Sequence, residues 1–461
     1  MVSRTVLIPL IVACALFMEQ MDSTVIATSL PMIATDLGES PIALKLALTS
    51  YLVSLAVFIP VSGWMADRFG SRTIFRAAIG VFVVGSVFCG LSSSLDSFVA
   101  ARFLQGMGGA MMVPVGRMVI LRSVSKAELV QALNYLTIPA LIGPIIGPPL
   151  GGLITTYLNW RWIFFINVPI SLLGIYLATR FIENLRVDRV PPLDWPGFLL
   201  SALGLSLTML GLATIGRHLV SARVSSGCLA LGVIALIAYY LHARRAEHPL
   251  LRLDLFRLQT FRVGVLGGSL FRAGIGALPF LLPLFLQLGF GLTPFQSGLL
   301  TCSAAAGSMC MKTISRKILR RFGFRTVLKF NVGFASASLV AIAFFTIHTP
   351  HAGIVLTLLF GGVFRSLQFT SLNALSYADV DHADVSQASS IASAVQQLSL
   401  GMGVTIGAFA LQASSYVQGH TQLVAADFWP AFVLVGLLSL SSLRFILQLP
   451  DNAGHQISGK T

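Results

Sequence analysis

Charge is scarce in this 461-residue sequence: Asp, Glu, Lys and Arg make up 10% of it, and only 17 residues are acidic. A soluble domain carries about 25% charged residues, so water is not the main solvent of this chain. Cysteine is scarce too. The five (Cys14, Cys89, Cys228, Cys302, Cys310) fall in apolar stretches without ligand spacing and read as small packing residues, and the eight histidines are scattered. That leaves no metal cluster and no His/Ser/Asp grouping for an enzyme. Long polar connections are missing, which excludes a soluble nucleotide-binding module and with it an ATP-driven pump. The last eight residues, "GHQISGKT" (454 to 461), match the phosphate-loop pattern letter for letter. Such a loop works only between a strand and a helix, and here it has neither.

Apolar runs are what the sequence has in abundance: 55% of its residues are hydrophobic, with 42 Gly and 32 Phe. A membrane-crossing helix needs roughly 20 apolar residues. Fourteen stretches qualify, near 6–29, 46–65, 77–94, 98–120, 131–156, 162–181, 195–215, 224–242, 263–288, 295–314, 327–347, 351–375, 388–413 and 427–448. The first has the basic start and Ala13-Cys14-Ala15 of a secretory signal, but its apolar run continues to Pro31, so it reads as a span.

Loop charge gives orientation, because Lys and Arg resist translocation. With the N-terminus inside, 24 of the 31 basic residues fall at inside ends, four fall outside (Lys45, Arg161, Arg217, Arg223) and three lie within spans (Arg102, Arg272, Arg365). Both termini are therefore expected in the cytoplasm. One inside loop disagrees, the acidic "YADVDHADVSQ" at 377–387. The net charge of +14 is then a topology signal, and nucleic acid is not an expected partner.

The sequence also repeats. "DRFGSRTIF" (67–75) and "RRFGFRTVL" (320–328) share Arg-Phe-Gly-x-Arg-Thr, each between the second and third spans of a half. Parallel halves of this kind are a transporter architecture, with the substrate site between them near the midplane. The predicted organisation is an N-terminal six-helix bundle (1–190), two additional transmembrane helices (191–245) and a C-terminal six-helix bundle (246–461).

Several stretches carry a resemblance. "GWMADRFGSRTIF" (63–75) resembles the loop motif of the major facilitator superfamily, and "RFLQGMGGAMMVP" (102–114) its fourth-span motif. "GPIIGPPLGG" (143–152) fits the antiporter motif through Gly143, Gly147, Pro148, Gly151 and Gly152. "MDSTVIATSLP" (21–31) and "NWRWIFFINVPI" (159–170) are similar to stretches of its fourteen-span drug:proton antiporters. Two positions depart: Ala27 replaces the usual Asn of the first-span motif, and Arg320 stands where the first-half loop has Asp67. The resemblance implies an all-α integral membrane protein of the major facilitator fold in a bacterial inner membrane, a monomer with no cofactor, driven by the proton gradient.

The motifs have physical readings of their own. Gly143, Gly147 and Gly151 share one helix face, letting a neighbour approach closely, while Pro144, Pro148 and Pro149 remove backbone donors and bend the span. Tight packing alone would account for this; the resemblance adds a seal against proton leakage. In the loop, Gly63 and Gly70 permit tight turns. Asp67 is a candidate for a helix N-terminus or Arg partner that breaks when the halves rock, and Arg68 and Arg72 read first as topology charges.

The intramembrane charges point to chemistry. Glu19 and Asp22 lie roughly 20 to 24 Å along the first span, near mid-bilayer, three residues apart on one face. Charge at that depth is costly, so this face should meet a polar cavity or a partner. Arg102, in the fourth span, is the natural partner. A carboxylate balanced between desolvation, a like neighbour and an Arg can gain and lose a proton. Asp22, matching the motif, is the expected carrier of the coupling proton, and Glu19 a second proton site or a contact for a cationic substrate; a static ion pair is the alternative. Arg272 and Arg365 have no acidic partner within their own spans, and with Gln287, Gln368 and Asn373 they could line a substrate cavity. The expected function is proton-coupled export of small organic compounds by alternating access. An exporter of organic anions such as carboxylate metabolites is one alternative, and a transport-silent membrane sensor another.

Overall fold

The computed structural model describes residues 4–123, 129–186, 190, 192–214, 222–247, 249–381, 384–420 and 422–454. All but the first residue of the phosphate-loop look-alike, and the basic residues Lys126, Arg189, Arg217 and Lys460, lie outside these. Fourteen long helical segments follow one another, with no strand among the described residues. They are α1 (Arg4–Asp36), α2 (Lys45–Phe69), α3 (Ser71–Leu91), α4 (Leu95–Ser123), α5 (Leu129–Tyr157), α6 (Trp162–Phe181), α7 (Trp195–Thr214) and α8 (Ala222–Ala243). The second half continues with α9 (Gln259–Gly289), α10 (Pro294–Phe322), α11 (Phe324–Ile342), α12 (His351–Leu375), α13 (Val385–Gln418) and α14 (Ala425–Ile446). This is the expected order of six helices, two more, and six again. Eleven are long and apolar enough to cross a membrane by length and composition. The other three are α5, several of whose side chains are not described, and α10 and α11. Those two carry seven basic residues from Lys312 to Lys329, which dilute their hydropathy.

The sequence repeat is a repeat in space. Gly70 and Gly323 take positive φ (95° and 79°), a conformation open to glycine and strained for other residues. Each ends one helix, its N–H bonded to the carbonyl four residues back (Ala66, Leu319), and starts the next. In the first half this turn docks on the segment after α6: Thr73 N–H donates to Asn184 Oδ1 (3.2 Å), Ser71 N–H to the Leu185 carbonyl (3.0 Å) and Arg72 Nη1 to the Ile182 carbonyl (3.2 Å). In the second half the equivalent Arg325 pairs with Asp451, after α14.

Three apolar clusters organise the packing. One joins both halves, running from Leu30, Ile33 and Leu44 to Phe280, Phe285 and Phe432, at the helix ends remote from the chain termini. Nearer the termini, one cluster holds first-half residues alone (Val12, Phe75, Val115) and another second-half residues alone (Phe271, Phe324, Val332). The halves therefore share a core on one side of the molecule and keep separate cores on the other. Helix α7 packs through Phe198, Ala202 and Met209 on Val53 and Val57 of α2 and on Leu398 of α13. The carboxylate of Asp194, just before α7, accepts from the Gly197 and Leu250 N–H groups (2.9 and 3.2 Å) and lies 2.7 Å from His242 Nε2. Burial pushes this carboxyl up, yet the three hydrogen bonds outweigh it and hold the group below the usual carboxylate range.

The acidic loop has a local explanation. Asp384 pairs with Arg252 (2.5 Å) and Asp379 accepts from Thr260 Oγ1 (2.8 Å), so these acids face the basic entry to α9. The glycine face of α5 also finds its neighbour, which is α1. A methyl at Gly143 would lie 3.1 Å from Gln20 Cβ, at Gly147 it would overlap the Thr24 hydroxyl, and at Gly151 the Val25 carbonyl. On another face, Gly152 meets the Pro294 carbonyl and Gly298 of α10 meets the Pro148 carbonyl, so α5 also joins the two halves.

A hydroxyl can rotate away and a backbone carbonyl cannot. Alanine should therefore destabilise the folded protein least at Gly143, by under about 1 kcal/mol, more at Gly147 and most at Gly151, by about 2–3 kcal/mol. Thermal melting of the three purified variants in detergent checks the order.

Candidate functional site

The two carboxylates of α1 sit in different surroundings. Asp22 is 2% exposed and has both oxygens occupied. Its Oδ2 pairs with Arg102 Nη1 of α4 at 2.7 Å, and its Oδ1 accepts from Gln105 Nε2 of α4 and Asn167 Nδ2 of α6, each at 2.8 Å. Gln105 is fixed in turn: its Oε1 accepts from Arg102 (2.5 Å) and its Nε2 donates to Ser86 Oγ of α3 (2.7 Å). One carboxylate thus ties four helices together. The idealised cost of moving an ion out of water is of order 20 kcal/mol, and only an opposite charge with further hydrogen bonds offsets it. Asp22 has both.

Glu19 is held more loosely. Its Oε2 accepts from the neighbouring Gln20 (3.0 Å) and its Oε1 from the Tyr51 hydroxyl of α2 at a long 3.4 Å. Tyr51 stands between the two acid sites, because the Arg102 guanidinium lies 4.3 Å from its ring centre. Gly109 leaves the room: a methyl there would sit 3.0 Å from the Tyr51 hydroxyl. The structure thus groups Glu19, Asp22 and Arg102, and adds Tyr51, Ser86, Gln105 and Asn167, which sequence reasoning did not single out. Gln105 follows Arg102 by three positions and Asn167 lies in the quoted "NWRWIFFINVPI", so a search for polar residues inside apolar spans would have found both. Tyr51 and Ser86 carry no such signal.

The other candidates are dispersed. Gly70 and Arg72 form the turn against 182–185 described above; Gly63, expected in a turn, instead lies inside the continuous helix α2 and faces Met118 with space to spare, Asp67 is half-buried and Arg68 exposed, all remote from the acid pair along α2. Gly143, Gly147 and Gly151 line the α1 contact, whereas Pro148 and Gly152 meet α10. In the second half Arg272 donates to Asn373 (2.5 Å) and lies 5.4 Å from the Phe369 ring centre. Arg365 points to Ser338 of α11 (3.3 Å), Gln368 binds Asn331 (3.0 Å) inside the second-half core, and Gln287 donates to the Thr28 carbonyl across the halves (2.9 Å). Of the five residues expected in a cavity, the structure brings only Arg272 and Asn373 together.

Two helical halves sharing a core at one face only, with a buried ion pair at mid-span, define a membrane transporter rather than an enzyme. Among the described residues no group of His, Cys, Asp or Glu could hold a metal ion. The chain belongs to the Major Facilitator Superfamily, whose family model matches residues 12–404. It is 39% identical over 453 residues, 97% of this chain and 95% of the relative, to the protein named "Putative multidrug resistance protein MdtD" of Escherichia coli (strain 55989 / EAEC). The match to the protein of that name in Shigella boydii serotype 18 has the same identity and coverage. Among solved structures it resembles a D-xylose-proton symporter (TM-score 0.72, 16% identity, 98% of this chain and 99% of that one). It also resembles the human organic anion transporter MFSD10 (TM-score 0.60, 14% identity, 96% of this chain and 98% of that one). These two likenesses establish the fold alone. The protein is a multi-pass membrane transporter of small molecules.

Removing one partner of the ion pair strands the other. Arg102→Met should destabilise the protein by about 3–5 kcal/mol, and Asp22→Asn combined with Arg102→Met should recover part of that loss. Denaturation of both variants in detergent measures it; a single variant as stable as wild type would mean that Asp22 is not charged in the folded state.

Proposed function

We propose that this transporter is a proton-coupled antiporter that exports small organic compounds from the bacterial cytoplasm across the inner membrane by alternating access. The observation that carries this is the Asp22–Arg102 pair, buried between helices of one half. An ionised Asp22 accepts from Arg102, Gln105 and Asn167. A proton on Oδ2 would take the place of the Arg102 bond and leave Gln105 as the one α4 donor to Asp22, so one protonation event weakens a helix contact. Glu19, with weaker partners and a tyrosine between it and Arg102, is a second proton site or a contact for a cationic substrate. The proton gradient supplies the energy with no cofactor, and the working unit is a monomer divided at 1–190, 191–245 and 246–461.

The excess of basic residues in the termini-side loops supports cytoplasmic termini. With that orientation, a core shared only at the opposite face corresponds to a state closed outside and open inside, in which an exporter loads its cargo. The α5 contacts at Gly152 and Pro148 then belong to the closed outer seal. Similarity to a protein named for multidrug resistance supports a broad range of organic cargo.

Asp22→Asn in proteoliposomes should lose at least about tenfold of transport driven by an imposed pH gradient while melting as a folded protein. A near wild-type rate would remove Asp22 from coupling and leave a structural ion pair.

A second reading has its own observation. Arg272 is 1% exposed and Arg365 8%, and neither has a carboxylate partner among the described residues. Such cations suit an organic anion. Under that reading Arg272→Ala abolishes transport of a citrate-like anion and spares cationic dyes; dye preference in both wild type and variant would dismiss it.

A further inference from the structure

The turn between α10 and α11 is basic beyond what orientation requires. Arg316, Lys317, Arg320, Arg321, Arg325 and Lys329 fall within fourteen positions, and among the described residues only Arg325 has a carboxylate partner, Asp451. Arg321 and Lys329 are exposed, and each lies 5.5 Å from the ring centre of its neighbour, Phe322 or Phe330. These two rings open an apolar groove of about 260 Å³ on the outer surface of the second half, walled further by Val327, Phe334, Phe364 and Leu367. Phe322, Phe330 and Phe334 are each about half exposed, at 49%, 62% and 59%.

From Thr326 at its mouth to Phe334 at its far end the groove runs about 12 Å along α11, close to the roughly 15 Å of one bilayer leaflet. It begins at the chain-termini end of the helices, where the cations stand. A greasy slot one leaflet deep with unpaired cations at its rim fits one ligand chemistry: an acyl chain carrying an anionic headgroup. The rim opposes lipophilic cations. The repeat gives independent support, because the first-half positions equivalent to Arg320, Phe330 and Phe334 are Asp67, Ala77 and Val81. The rim cations Arg321 and Lys329 recur in the first half as Arg68 and Arg76, and Phe322 as Phe69, so what the second half adds is the pair of aromatic walls Phe330 and Phe334 and the cation Arg320.

We propose that this groove is a binding site for an anionic phospholipid of the termini-side leaflet, its chain between Phe330 and Phe364 and its phosphate at Arg321 and Lys329. The full-length protein in detergent, titrated with dioleoyl phosphatidylglycerol or dioleoyl phosphatidylcholine and followed by native mass spectrometry and thermal melting, tests it. Phosphatidylglycerol should be retained and raise the melting temperature where phosphatidylcholine is not and does not. Arg321→Gln with Lys329→Gln should weaken phosphatidylglycerol binding, roughly fivefold per charge removed. Thr326→Trp, which fills the mouth, should block it. Arg244→Gln with Arg245→Gln, exposed cations at the end of α8, should leave binding unchanged. Equal retention of the two lipids by wild type, or equal weakening by the α8 pair, would overturn the proposal. If Thr326→Trp does not fold, the surface charge variant decides alone, and phosphatidylglycerol affinity unchanged in it would likewise overturn the site.

Discussion

The first half is built around a carboxylate that must not be left alone. In hydrocarbon no water is at hand to satisfy an ion, so Asp22 is tolerable only with Arg102, Gln105 and Asn167 all in place. These partners come from α4 and α6, and Ser86 of α3 holds Gln105. The demand of one charge thus fixes the mutual position of four helices. Neutralising Asp22 would remove the charge that Arg102 answers, while Gln105 and Asn167 could still donate to its other oxygen.

Helix contacts elsewhere are decided by small residues, because lipid tails are as apolar as leucine and burial alone gives little drive for association. The stripe Gly143, Gly147, Gly151 brings the α5 backbone within a methyl's width of α1, and Gly152 and Gly298 do the same between the halves. Contacts this close resist gradual deformation and favour discrete packings. Together with a core continuous on one side of the molecule and split on the other, they concentrate the contacts between the halves on the shared side.

The two halves repeat one architecture and divide the chemistry. Positive-φ glycines turn the chain at 70 and 323, and the following arginines reach the segment that closes each half. Among the described residues the acids buried at mid-span, Glu19 and Asp22, lie in the first half, while the second holds the buried cations Arg272 and Arg365 without a carboxylate partner and a basic, aromatic outer face. A shared backbone plan thus carries different side chains in its two halves.

Much of this was legible in the residues. Fourteen apolar runs, the Arg-Phe-Gly-x-Arg-Thr repeat, the glycine stripe and the three charges Glu19, Asp22 and Arg102 follow from periodicity and from the cost of charge in lipid, both local properties of the chain. Which neighbour each helix face meets is not local. That α5 turns one face to α1 and another to α10, that Tyr51 and Ser86 join the acid site, and that Arg365, Gln368 and Gln287 part from Arg272 were decided only by the tertiary structure. Inside a membrane, hydropathy does not distinguish a face that meets lipid from one that meets another helix, so the sequence specifies which residues are costly to strand, and packing alone decides where each of them finds its partner.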